Sequence, residues 1–178
     1  MNKYRTEEEQ LAAVKHDGYL IRHIKNPSET VQLAAVQQNG YAIQLIKNPS
    51  EAVQLAAVKQ HGWAIDYIKN PSEAVQLAAV EENGCAIKFI ENPSEKVQIA
   101  AVKQNGYAIQ YFKYPSEKIQ LTAVKQNGNA IQYINNPSEV TLEICLLSND
   151  CEISLLKDEW FDGKSDDLRL VYEIKKGI

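Results

Sequence analysis

The chain lacks any apolar run approaching the roughly 20 residues needed to span a bilayer. Its opening stretch, Met-Asn-Lys-Tyr-Arg-Thr-Glu-Glu-Glu-Gln, holds no apolar signal core. Those two absences predict no membrane association and a cytoplasmic location. Cysteine is scarce: Cys85, Cys145 and Cys151 are an odd set with no disulfide framework. They are expected to be small apolar fillers or free thiols, which suits a reducing compartment. No cysteine or second histidine stands at ligand spacing from His16, His23 or His61. Cys145 and Cys151 have no such partners either, so no metal site is predicted. Phosphate-binding glycine loops and the nucleophile-elbow pattern are missing as well, which predicts no cofactor. The carboxylates recur about one repeat apart rather than in convergent pairs, so catalysis is not expected.

Strong charge of one sign is also missing from most of the chain. Residues 1–138 carry 14 Lys/Arg against 13 Asp/Glu, and residues 139–178 carry 5 against 10. The first stretch is too neutral for the basic footprint of a nucleic-acid binder. Only the C-terminal part is acidic, which ranks nucleic-acid mimicry lower still.

What the sequence has in abundance is repetition. Every proline falls on one phase: Pro27, Pro49, Pro71, Pro93, Pro115 and Pro137. Gly18, Gly40, Gly62, Gly84, Gly106 and Gly128 fall on another. The unit of 22 residues reads Asn-Pro-Ser-Glu-x-Val-Gln-Leu-Ala-Ala-Val-Lys-Gln-Asn-Gly-Tyr-Ala-Ile-Gln-Tyr-Ile-Lys. Asn26 is expected to cap a first helix, with Pro27 at its first position and Glu29 closing a capping box. Thr6 and Glu9 offer the same signal in the first copy. Gly40 is expected to end that helix in the left-handed conformation. A shorter helix over 41–47 then runs to the next Asn-Pro. Neither helix is stable alone, so neighbouring units must stack.

This periodicity predicts an all-α fold. It is an α-solenoid of about seven 22-residue helix-turn-helix repeats in a single domain, residues 1–178. Six regular repeats occupy 4–135, and a degenerate seventh repeat with a divergent helical cap occupies 136–178.

Helix one is apolar on two sides, with Val31, Ala34 and Ala35 facing one neighbour and Leu33 and Val36 the other. Gln32 and Asn39 recur in most copies and are expected to make loop or ladder hydrogen bonds. Glutamates at helix starts and lysines near helix ends complement the helix dipole. Helix two turns Ala42, Ile43 and Ile46 inward. Two aromatic-rich phases then flank its outer side. One is Tyr19, Tyr41, Trp63 and Tyr107; the other is Tyr67, Phe89, Tyr111 and Tyr133. Exposed aromatics are common binding anchors, although lateral packing between repeats would account for them equally well.

At the C-terminus, residues 141–157 keep helical spacing but break the repeat. Trp160, Phe161 and 168–174 are expected to fold over the last unit, with 158–167 as a polar turn. At the N-terminus Leu11, Ala12, Ala13 and Val14 match the inner copies and would leave an apolar face for residues 1–5 to cover. That predicts homodimer formation through this end.

The core Ala-Ala-Val-Lys-Gln-Asn-Gly followed by an apolar short helix resembles the repeats catalogued as domain of unknown function 4116. These occur in bacterial, phage and large-virus proteins, and the likeness covers residues 6–136. More loosely, the architecture is similar to HEAT and leucine-rich-variant solenoids. That resemblance implies a non-catalytic solenoid that binds a protein, as a phage or mobile-element inhibitor or adaptor acting on a host protein. Nucleic-acid binding through lysine rows with aromatic stacking is the alternative. Sequestration of a small ligand or nucleotide signal is a further one.

Overall fold

The computed structural model describes Tyr4 and residues 6–177, and all its regular structure is helical among these residues. Residues 1–3 and 5, which the sequence offers as an N-terminal cover, lie outside the described residues. Seven α-helices recur at the 22-residue period: α1 (Glu7–His16), α2 (Glu29–Gln38), α3 (Glu51–Gln60), α4 (Glu73–Glu82), α5 (Glu95–Gln104), α6 (Glu117–Gln126) and α7 (Glu139–Leu147). Each of the first six is followed by a six-residue 3-10 helix, Gly18–His23 and Gly40–Leu45 being the first two. The fold is an all-helical α-solenoid. The chain divides into two compact units, Met1–Val97 and Gln98–Ile178. Within each unit, successive α-helices pack on one another and on the 3-10 helix between them.

Two sequence signals trade places. The N-cap of α2 is Ser28, not Asn26, and its side chain accepts from the Val31 N–H. Ser50 and Ser72 cap α3 and α4 in the same way. Asn26, Asn48, Asn70 and Asn92 instead take φ values of 53°, 53°, 47° and 48°. Asparagine tolerates this left-handed region because its short amide bonds locally. The chain therefore reverses at the asparagine, and the glycines do not supply the left-handed residue. A Cβ on Gly40 would stand 2.5 Å from the Ala57 carbonyl oxygen of the next repeat. Glycine is there to let two repeats touch. In the first copy the capping box of Thr6 and Glu9 forms as expected.

The second helix is also of a different kind from the α-helix expected over 41–47. A 3-10 turn holds three residues, so side chains at i and i+3 eclipse. Gly40, Ile43 and Ile46 accordingly share the buried face, and Tyr41 lies in line with Gln44. Gln44 donates back to the Tyr41 carbonyl at 2.9 Å.

The fixed polar residues are structural. Gln32, Gln54 and Gln76 each donate from Nε2 to the carbonyl of Pro27, Pro49 and Pro71 at 3.0 Å. Asn39, Asn105 and Asn127 accept from the N–H two residues on, which opens each 3-10 helix. A ladder links repeats at the other end of the α-helices. Ser28, Ser50, Ser72 and Ser94 donate their hydroxyls to Glu7, Glu29, Glu51 and Glu73 of the preceding copy.

The N-terminal face differs from the inner copies at one position. Val31, Val53, Val75 and Val97 are fully buried, but the first copy places the exposed Glu9 there. Leu11 and Ala13 are half-buried and Ala12 is exposed. A carboxylate thus interrupts the face expected to be apolar, and burying it in a homodimer would carry a desolvation cost.

At the C-terminus, short 3-10 turns (Ile153–Leu155 and Asp158–Phe161) lead to α8 (Asp166–Lys176). Cys145 and Cys151 are both buried and joined in a disulfide. The expectation of free thiols or simple fillers fails for this pair, and the cysteine-based argument for a reducing compartment falls with it. Residue spacing of six with a turn between them brought the two together, which an odd cysteine count concealed. Trp160, Phe161, Leu168 and Tyr172 are buried as expected, with the Phe161 and Tyr172 rings stacked at 4.0 Å. The rest of 168–174 is not a cover: Leu170, Val171 and Ile174 are exposed. Only one stripe of α8, Leu168 with Tyr172, can face inward at helical spacing. No helix among the described residues is long and apolar enough to cross a membrane.

Candidate functional site

The two aromatic phases meet on the outer side of the 3-10 helices, and they meet across repeats. The Tyr41 ring stands edge-on to Tyr67 of the next copy, 6.3 Å between centroids. Trp63 meets Phe89 in the same way at 6.0 Å. In the second unit Tyr107 meets Tyr133 at 5.7 Å and 85°. Edge-to-face rings at this distance attract beyond their area burial. The expected lateral packing is therefore real, yet it leaves ring surface open to solvent. Trp63 keeps 39% of its surface exposed and Tyr67 47%. Tyr111 and Tyr133 are exposed, while Tyr19, Tyr41, Phe89 and Tyr107 are half-buried.

Within the first unit Tyr19, Tyr41, Trp63, Tyr67 and Phe89 line a shallow hollow of about 360 Å³ with Gln44 and Asp66. The second unit holds Tyr107, Tyr111 and Tyr133. The hollow's polar members come from a single position per repeat, which reads Arg22, Gln44, Asp66, Lys88, Gln110 and Gln132. Lys88 lies 4.2 Å from the Trp63 ring centroid and 4.5 Å from that of Phe89. Its charge meets the negative faces of both rings. This row escaped notice because only its i+3 relation to the aromatic row, which a 3-10 helix creates, aligns the two.

Two further residues depart from the repeat. His61 replaces the usual capping asparagine, makes no side-chain cap, and stacks on Tyr41 at 4.8 Å. Tyr114 stands where most copies have asparagine before proline, and it is 84% exposed. Lys113 Nζ lies 5.1 Å from its ring. Both departures were visible by aligning the copies with one another.

No family model, curated protein or solved structure matches this chain. The site's chemistry is thus read from its own geometry. Among the described residues no group of three His, Cys, Asp or Glu is placed to hold a metal ion. What the aromatic face offers is ring surface, amide groups and charges of both signs.

Proposed function

We propose that the chain is a non-catalytic binding module that takes a protein partner on the aromatic face of its 3-10 helices. The observation that carries this reading is the pairing of rings across repeats. Tyr41, Trp63, Tyr67, Phe89, Tyr107 and Tyr133 are each braced by a neighbouring ring, so little rotamer freedom remains to be lost when a partner covers them. Tryptophan and tyrosine are the side chains that most often dominate such contacts. Gln44, Asp66 and Lys88 supply polar groups around them, as the rim of an interface does. The resemblance to domain of unknown function 4116 adds a context, an adaptor or inhibitor that occupies a host protein.

The test is affinity capture from bacterial lysate with two baits, the native chain and a Trp63→Ala/Tyr67→Ala variant. Both substituted side chains are substantially exposed, so the variant keeps its helical circular dichroism. A protein held by the native bait and lost from the variant supports the reading. A partner held equally by both baits removes the aromatic face from it.

A further inference from the structure

A second surface lies between α7 and α8, and the aromatic reading has no bearing on it. The Ser165 N–H, just before α8, donates to Glu139 Oε1 at the start of α7 at 3.2 Å. Lys175, near the end of α8, donates to the Leu146 carbonyl near the end of α7. The two helices therefore run side by side in the same direction. Between them is an open groove of about 290 Å³.

The groove is graded along its length. Glu139 and Asp167 line it in the first turns of their helices, and Glu143 lines it at the middle of α7. Leu147 and Val171 line it further along. Leu147 is 71% exposed, and Ile174, in the last turn of α8, is 66% exposed. The Ser165 hydrogen bonds, with a smaller contribution from Lys164, hold the Glu139 carboxyl below its ordinary range. Glu143 and Asp167 make no ion pair among the described residues. This apolar surface beside carboxylates has no covering partner among the described residues.

We propose that this groove takes an amphipathic helix of a partner protein, antiparallel to α7 and α8, with lysine or arginine in its last turn. Helices of nine and eleven residues give a wall roughly 15 Å long, enough for about three turns of a third helix. Apolar anchors at i, i+3, i+4 and i+7 would cover Leu147, Val171 and Ile174. The direction follows from charge. Glu139, Glu143 and Asp167 outweigh the partial positive charge of the two helix N-termini, so this end of the groove is anionic and favours the end of an incoming helix where cations are most stabilising, its C-terminal turn. The cations that stabilise that last turn then lie against Glu143 and Asp167.

The experiment uses the full chain and two labelled 14-residue helical peptides with the same leucine stripe. One carries three lysines in its last turn, and the other carries them in its first. Fluorescence anisotropy at low salt should show saturable binding of the first, about fivefold tighter than the second. Glu143→Gln/Asp167→Asn should abolish that difference without altering the circular dichroism. Val171→Glu should weaken both peptides. Equal affinities for the two peptides, no saturable binding of either, or an unchanged difference in the neutralised variant would each overturn the proposal. So would self-association of the native chain that Val171→Glu abolishes, since a second copy would then be the occupant.

Discussion

The backbone N–H of Gly106 donates to Oε1 of Gln126, one repeat further on, at 2.6 Å. The same bond joins Gly18 to Gln38 at 2.8 Å, and Gly62 to Glu82. The first N–H of each of these 3-10 helices has no partner within its own turn. A side chain from the next repeat supplies one. The bond is possible only because the glycine has no Cβ, since a Cβ on Gly106 would stand 2.6 Å from the Ala123 carbonyl oxygen.

Gly106→Ala should therefore destabilise the second unit by about 2 kcal/mol, the cost of forcing an extra carbon into a packed contact. Gln126→Leu should cost about 1–3 kcal/mol by stranding a buried N–H. Urea unfolding followed by circular dichroism measures both. A Gly106→Ala variant as stable as the native chain would show that the repeats can separate at no cost.

Ser72 both caps α4 and donates to Glu51. Ser72→Ala should lose about 1 kcal/mol. Were Asn70 the cap, the same change would be an ordinary surface substitution within about 0.5 kcal/mol. Asn70→Val should also destabilise, by about 1–2 kcal/mol, because a β-branched residue resists a φ of 47°. Ser72→Ala combined with Glu51→Ala should fall short of additivity, since the two share one bond.

Asp158 accepts from Lys176 Nζ at 2.6 Å and from the Tyr172 hydroxyl at 2.6 Å. The Lys176 bond, then the Tyr172 bond, hold the Asp158 carboxyl below the ordinary aspartate range. Its contribution to stability is present above the unfolded-state value and is lost as pH falls through the lowered folded value. Lys176 is shifted up, first by Asp158. Its contribution is full below the unfolded lysine value and fades as pH rises through the raised one. Burial, then the bond to Asp158, also raises Tyr172, which adds to the alkaline loss. Stability of the second unit should be flat from about pH 5 to 9 and decline on both sides. Asp158→Asn should make the acid limb shallower and leave the part that comes from Glu139 and Asp150, whose carboxyls are also held low by hydrogen bonds, from Ser165 and from Ser148. An acid limb unchanged in that variant would remove Asp158 as its source.

The Cys145–Cys151 disulfide closes a short loop beside the last repeat. Loop-closure entropy for so short a loop gives about 2 kcal/mol. Dithiothreitol should lower the urea midpoint of the native chain, and a Cys145→Ala/Cys151→Ala variant should be insensitive to the reductant. A native midpoint unmoved by reduction would mean that the loop is held by packing alone.

The sequence by itself determined the period, the fold class and the core. Prolines and glycines at fixed phases set the unit, and a helix apolar on two sides can only be sandwiched. The glutamine row was legible as structural because a polar type repeated through most layers of a stack needs a repeated partner. The aromatic residues could be named from their spacing, but their exposure could not. That depended on whether the second helix was α or 3-10, which sets the side chains that share its buried face. Tertiary contact decided the exchange of roles between asparagine and glycine. Asparagine suits both a cap and a left-handed turn, and glycine suits both a left-handed turn and a close approach. Local sequence leaves those options nearly equal in energy. The Ala57 carbonyl oxygen, 2.5 Å from where a Cβ on Gly40 would stand, separates them, and it comes from the following repeat.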